Sequence, residues 1–160
     1  MGLSDLSNIL WREREMMELL LFKLEEEQLL LASGRTRWLA HATREVELVL
    51  DQIRQAEVLR AAEVEAVARD YGLASNPSLA NLADSVPDPW ADMLREHRKV
   101  FLSLAAEISA LAEANRDLLT AGQRAVRETM LVFTGSVETY GRRGSTVAAT
   151  ARPRLVDEAM

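Results

Sequence analysis

The sequence of 160 residues contains no cysteine, and aromatic residues make up only 5% of it. The absence of cysteine excludes disulfide bonds, thiolate zinc sites and thiol nucleophiles, and it is typical of proteins in a reducing compartment. Glycine (7) and proline (4) are also scarce, and all of them except Gly122 fall outside the stretches with regular hydrophobic spacing. Hydrophobic residues make up 48% of the chain and are mostly leucine, alanine and valine. This composition favours helices over sheets in a chain whose length fits one domain.

The chain has 19 Lys and Arg residues and 25 Asp and Glu residues, which gives a net charge of −6. An acidic chain is a poor candidate for nucleic-acid binding, which depends on neutralising phosphates. No apolar run approaches the roughly 20 residues that span a bilayer. The first residues also lack the basic region and apolar core of a secretory signal. We therefore expect a cytoplasmic protein with no nucleic-acid partner and no membrane insertion.

The longest regular pattern runs from Trp90 to Phe133. Its stripe residues recur at alternating steps of four and three, which is the spacing of a coiled-coil seam. Pro89 precedes the stretch and Gly135 follows it, so we predict a helix over about 88–133. At about 1.5 Å per residue this helix is roughly 65 Å long, and it needs other helices to cover its stripe. The stripe positions are Trp90, Leu94, His97, Phe101, Leu104, Ile108, Leu111, Asn115, Leu118, Gly122 and Ala125.

Two further long helices precede this one, at about 5–32 and 36–70. Gly34 and Gly72 follow them, in positions where glycine commonly ends a helix. The short turn between the two helices predicts an antiparallel hairpin. The sequence Asn76-Pro77-Ser78 then predicts a turn and the cap of a short connecting helix.

The predicted fold is therefore all-α, with three long helices in an antiparallel coiled-coil bundle and one short connecting helix. The regular spacing stops near residue 134, and the remaining residues carry glycines, a proline and four arginines. We expect a helical domain over residues 1–134 and a flexible C-terminal tail over 135–160.

Catalytic motifs are not evident in the sequence. His41 and Glu45 are four residues apart on a predicted helix, but one such pair is only half a metal site, and His97 occupies a seam position. The run Glu25-Glu26-Glu27 points in several directions around its helix and fits a solvated face. The glycines do not form a phosphate loop or a dinucleotide motif, and the serines lack a nucleophile elbow. We therefore expect no enzymatic activity, no metal and no cofactor.

Asn115 is a polar residue at a seam position, and two interpretations remain open. A single polar residue in a seam can fix the register of the helices. Alternatively, its amide could face a bound peptide.

The last third of the predicted third helix has apolar residues on several faces. Exposed apolar surface there would bind an amphipathic helix from a partner. The alternative is that this end packs on the first two helices or forms a homodimer. The apolar residues of this region are Leu118, Leu119, Val126, Met130, Leu131, Val132 and Phe133.

The chain resembles the FlgN type of flagellar export chaperone over about residues 3–144. The strongest likeness lies in two segments, Asn115-Arg116-Asp117-Leu118-Leu119 and Thr139-Tyr140-Gly141-Arg142-Arg143-Gly144. Weaker likeness is spread over the preceding helices, at Leu6-Ser7-Asn8-Ile9-Leu10-Trp11, Leu19-Leu20, Glu26-Glu27-Gln28, Ser33-Gly34, Glu57, Arg60, Gly72-Leu73 and Leu79-Ala80-Asn81-Leu82-Ala83.

The resemblance implies a cytoplasmic, non-enzymatic chaperone for hook–filament junction proteins. Such a chaperone would hold the C-terminal helical segments of its cargo, prevent premature assembly and deliver the cargo to the flagellar type III export gate. By analogy, the late part of the third helix would contact the cargo, and Tyr140 matches a tyrosine that related chaperones use for docking at the gate. The cargo-contacting residues that the resemblance implies are Leu118, Leu119, Val126, Met130 and Phe133. The alternative function is a structural coiled-coil protein that self-assembles through its seam.

Overall fold

The computed structural model describes the backbone of residues 2–145, and it describes their side chains except those of residues 122, 123, 126 and 133–145. All of its regular elements in this range are helical. They are α1 (Gly2–Ala32), a 3₁₀ turn (Thr36–Trp38), α2 (Leu39–Asp70), α3 (Leu79–Ser85) and α4 (Trp90–Ser145). The predicted all-α fold is confirmed. Among the described residues the chain divides into two units, residues 2–115 and residues 116–145.

Three of the residues that were expected to end or begin helices do so, namely Gly34, Gly72 and Ser78. Gly34 and Gly72 have φ values of +71° and +67°, which favour glycine because a Cβ atom is strained in the left-handed region. Each follows the last turn of a long helix. The Ser78 side chain accepts a hydrogen bond of 3.1 Å from the backbone N–H of Asn81, so it caps α3.

The helix boundaries differ from the predicted ones at three places. The first helix begins at Gly2 instead of residue 5, and a 3₁₀ turn precedes α2, which begins at Leu39. The last helix continues past residue 133 to Ser145. An internal glycine costs a helix only about 1 kcal/mol, so Gly135 does not end a helix that is already formed. The predicted tail over 146–160 lies outside the described residues, and the predicted division near residue 134 stays a prediction.

The first hydrophobic cluster fixes the directions of the helices within residues 1–115. Leu6 and Leu10, from the start of α1, pack with Val64 and Val67, from the end of α2, so these helices are antiparallel. Leu94, from the start of α4, belongs to the same cluster, so α4 runs parallel to α1 and antiparallel to α2. The connecting helix α3 also contributes, with Leu82 and Ala83 buried in this cluster.

A second hydrophobic cluster lies further along the same three helices. Leu20 and Leu24 of α1 pack with Val46 and Val49 of α2, and Ile108, Leu111 and Ala112 of α4 pack against them. The seam predicted for α4 is therefore covered by α1 and α2 as far as this level. Burial of such apolar surface is the main source of stability for helices of this kind.

Polar residues interrupt the core between the two clusters. Glu13 of α1 is only 4% exposed, and its Oε2 atom lies 3.4 Å from Nε of Arg60 on α2. Burial raises the pKa of the Glu13 carboxyl, while the charge of Arg60 opposes that rise.

The His97 ring is also buried, at 1% exposure. It makes an edge contact with Trp11, with the ring centroids 4.8 Å apart, and it stacks on Phe101. Among the described residues, neither ring nitrogen has a hydrogen-bond partner. Burial lowers the pKa of His97, the nearby charge of Arg14 lowers it further, and Glu96 acts in the opposite direction.

Candidate partner-binding site

The candidate site lies on the part of α4 that follows Asn115. The backbone from Arg116 to Ser145 is one continuous stretch of helix, about 45 Å long at about 1.5 Å per residue. Four large apolar side chains that the structure describes in this stretch are exposed to solvent. They are Leu118 at 37%, Leu119 at 40%, Met130 at 47% and Val132 at 49%.

Helical spacing places several of these positions along one stripe. Steps of seven, four and three lead from Leu119 to Val126, Met130 and Phe133, on a stripe beside the seam that continues from Asn115 to Leu118, Gly122 and Ala125. These steps preserve the seam spacing, so the four positions share one face of α4. We call the positions Leu118, Leu119, Val126, Met130 and Phe133 the α4 strip.

The structure exposes three members of the α4 strip, namely Leu118, Leu119 and Met130. The side chains of Val126 and Phe133 lie outside the described residues, as does that of Tyr140, whose backbone belongs to α4. The contact of these six residues with a partner stays a prediction.

The start of the strip is next to a polar network. The side-chain amide of Asn115 donates hydrogen bonds to the Leu24 carbonyl at 2.9 Å and to Glu27 Oε1 at 3.0 Å. The hydroxyl of Thr43 donates to the other Glu27 oxygen at 2.9 Å. One network thus joins α1, α2 and α4, and Asn115 is 3% exposed within it. The geometry favours the register interpretation of Asn115, since its amide nitrogen is bound by the chain itself.

Charges around the strip are mixed. Arg116, Arg124 and Arg127 are exposed, and so are the acidic side chains of Asp117 and Glu128. Apolar contact is therefore the main binding contribution that this surface offers, with arginines available to pair with acidic groups at the rim.

The residues considered as metal ligands do not come together. His41 Nε2 lies 3.7 Å from Glu45 Oε2, and the His41 side chain is 68% exposed on α2. Across the described residues, no group of three or more His, Asp or Glu side chains is placed to hold a metal ion. His97 is enclosed by two aromatic rings within residues 1–115.

One exposed pattern was missed by the sequence analysis. Leu48 and Leu59 of α2 are 57% and 55% exposed, and Val58 beside them is 69% exposed. Gln52 and Gln55 lie between the two leucines, at steps of four, three and four. The sequence signal for this exposed pattern is the seam spacing of uncharged residues on the outer face of α2.

The family comparison agrees with the helical geometry. The family model described as FlgN protein matches residues 1–148. No curated protein and no solved structure matches the chain. Among residues 2–145, none of the helices is both long and apolar enough to cross a membrane. The chain belongs to the FlgN family, and its general function is that of a flagellar export chaperone.

Proposed function

We propose that this chain binds the C-terminal helical segments of hook–filament junction proteins along the α4 strip. In the cytoplasm it prevents their premature assembly, and it delivers them to the flagellar type III export gate. The observation that carries the proposal is the exposure of Leu118, Leu119 and Met130 on a continuous helix of a FlgN-family chain. The chemistry required is apolar and helical, with no catalytic group.

The physical basis is the change of environment along α4. Up to Asn115 its seam is covered by α1 and α2, and Leu104 and Asn115 are buried. The next apolar positions, Leu118 and Leu119, are exposed. An amphipathic helix from a cargo protein can supply the knobs that a seam of this spacing accepts. Covering the strip removes apolar surface from water, which is the main favourable contribution to such binding.

Tyr140 has a separate role in this proposal. It follows the α4 strip on the same helix, and we infer that it docks at the export gate, as the resemblance to related chaperones implies. Cargo and gate would then contact neighbouring parts of one helix. This arrangement allows one protein to hold cargo and present it.

A self-assembling structural protein is the second candidate, since exposed seam positions also suit pairing between copies. The mass of the full chain in solution, measured with and without a C-terminal helical peptide of a junction protein, separates the two. The chaperone proposal expects a complex of fixed stoichiometry with the peptide. A homodimer of the free protein is compatible with it. Large homo-oligomers that exclude the peptide would contradict the chaperone and favour the structural role.

A further inference from the structure

The outer face of α2 has a second seam, and it is uncharged at four consecutive positions. The positions are Leu48, Gln52, Gln55 and Leu59, all of them exposed, in a chain of which 28% of residues are charged. The buried face of the same helix carries Val46, Val49, Ala56, Val64 and Val67. The outer positions therefore have no packing partner in the described part of the chain.

The order of these residues is palindromic. Leu, Gln, Gln and Leu follow one another at steps of four, three and four, so the pattern reads the same in both directions. An interface between two identical copies around a two-fold axis must be complementary to itself. In an antiparallel pair, Leu48 of one copy meets Leu59 of the other, and Gln52 meets Gln55.

We propose that a second copy of this chain packs on this face, with the two α2 helices antiparallel and the axis between residues 53 and 54. The leucines form the apolar ends of the contact, with Val58 beside them. The glutamine amides pair across the axis, since each has both donors and an acceptor. Both glutamine side chains are exposed.

Charge complementarity favours the antiparallel direction. In an antiparallel pair of helices, the residues along one edge of the seam in one copy face the residues along the same edge in the other copy. This places Arg44 of one copy beside Glu65 of the other. Arg44 is exposed. Glu65 is partly buried, and its Oε1 accepts hydrogen bonds from the Ser75 hydroxyl and the Asn76 backbone N–H, so Arg44 would pair with the other oxygen, Oε2. A parallel pair would not place these two charges together.

The interface is small, because the palindrome spans only about 16 Å of helix. Stable complexes usually bury more than about 1,200 Å² in total. The dimer should therefore be weak and should dissociate on dilution. It deepens the homodimer allowed under the proposed function, and it involves residues of α2 that are not part of the α4 strip.

The first test is sedimentation equilibrium of the full chain over a wide concentration range. The mass should rise from that of one chain, 17.9 kDa, toward twice that value. The double variant Leu48→Glu, Leu59→Glu should keep the mass of one chain throughout. The matched control is Leu102→Glu, since Leu102 is 56% exposed on another helix, and this variant should still dimerise. A wild-type chain that stays monomeric at every concentration overturns the proposal.

Cysteine cross-linking tests the direction, and the chain has no cysteine of its own to interfere. Variants Gln52→Cys and Gln55→Cys are oxidised separately and as a mixture. The antiparallel pair predicts faster disulfide formation in the mixture, whereas faster cross-linking in each separate sample contradicts it.

Peptide titration distinguishes this proposal from the proposed function. The monomeric variant Leu48→Glu, Leu59→Glu should bind the junction-protein peptide as the wild type does. If the wild type dimerises through α2 but binds no peptide, the chaperone proposal fails and the interface stands. If dimerisation is lost only on substituting Leu118 and Met130, the interface is on α4 and this inference is wrong.

Discussion

The side-chain amide of Asn115 donates a hydrogen bond of 2.9 Å to the backbone carbonyl of Leu24, a residue 91 positions earlier in the chain. The same amide reaches Glu27, whose second oxygen accepts a hydrogen bond from Thr43. An apolar residue at position 115 could slide by one turn without losing a specific partner, but the amide cannot. The network therefore fixes the register of α4 against α1 just before the α4 strip begins.

Removing this amide should weaken the folded state. Asn115→Ala leaves Glu27 with one fewer donor in a partly buried position, and we expect the free energy of unfolding to fall by about 1–2 kcal/mol. Urea unfolding followed by circular dichroism measures the change. The control is Arg116→Ala, an exposed neighbour on the same helix, which should stay within about 0.5 kcal/mol of the wild type. Equal effects of the two substitutions would show that the amide fixes nothing.

The Glu13–Arg60 pair should behave asymmetrically. Burial raises the pKa of Glu13, so the folded chain disfavours its ionised form, and stability decreases as pH rises from 4.5 through the raised pKa. Glu13→Gln removes this cost and should raise the free energy of unfolding at neutral pH by about 1 kcal/mol. Arg60→Ala leaves the buried Glu13 carboxylate without the charge partner that lies 3.4 Å away. This substitution should lower the free energy of unfolding by about 2 kcal/mol.

Thermal and urea unfolding of both variants at neutral pH check this pair. Arg54→Ala is the matched control, because the Arg54 side chain is 67% exposed on the same helix as Arg60. A loss of stability in Glu13→Gln as large as that in Arg60→Ala would mean that the ion pair is net stabilising.

Stability should decrease in mild acid because of His97. Burial lowers its pKa below 6.5, so between that value and the lowered pKa the unfolded chain binds a proton that the folded chain excludes. The stability that the lowered pKa of His97 contributes is complete above pH 6.5 and is lost progressively as the pH falls below 6.5. In His97→Phe this part of the pH dependence should vanish, and stability at neutral pH should rise by about 1 kcal/mol, because two unpaired ring nitrogens are removed.

Urea unfolding between about pH 5 and 8 gives the required curves, since this is the range in which histidine titrates. His41→Phe is the control, because the His41 side chain is largely exposed. If the curve of His97→Phe keeps the wild-type slope below pH 6.5, another group is responsible.

Helices and their apolar stripes could be predicted because they depend on residues close together in the sequence. The stripe that contains Leu94, Leu104 and Asn115 is buried, and glycine conformations end the first two long helices at Gly34 and Gly72. The end of α4 could not be predicted in this way. The small cost of one internal glycine does not outweigh the propagation of a long helix.

The polar contacts of the core could not be predicted from the sequence either, but for a different reason. In the sequence Glu13 carries no sign of burial, and Glu27 belongs to a charged run that was expected on a solvated face, although the structure buries it in part. Their partners, Arg60, Thr43 and Asn115, lie on other helices, and spacing within one helix carries no information about such pairs. For the candidate site, the sequence named the apolar residues of α4, and the structure adds that Leu118, Leu119 and Met130 are exposed.

Calorimetric titration with a C-terminal helical peptide of a junction protein tests the central claim most directly. The variant Leu118→Glu, Met130→Glu places charges within the α4 strip, and Leu102→Glu places one on an exposed leucine of α4 within residues 1–115. Desolvating a carboxylate in an apolar contact is costly, so the first variant should bind the peptide at least about a hundredfold more weakly than the wild type, and the second should bind it normally. Wild-type affinity in Leu118→Glu, Met130→Glu, with the helix content unchanged, would contradict the account.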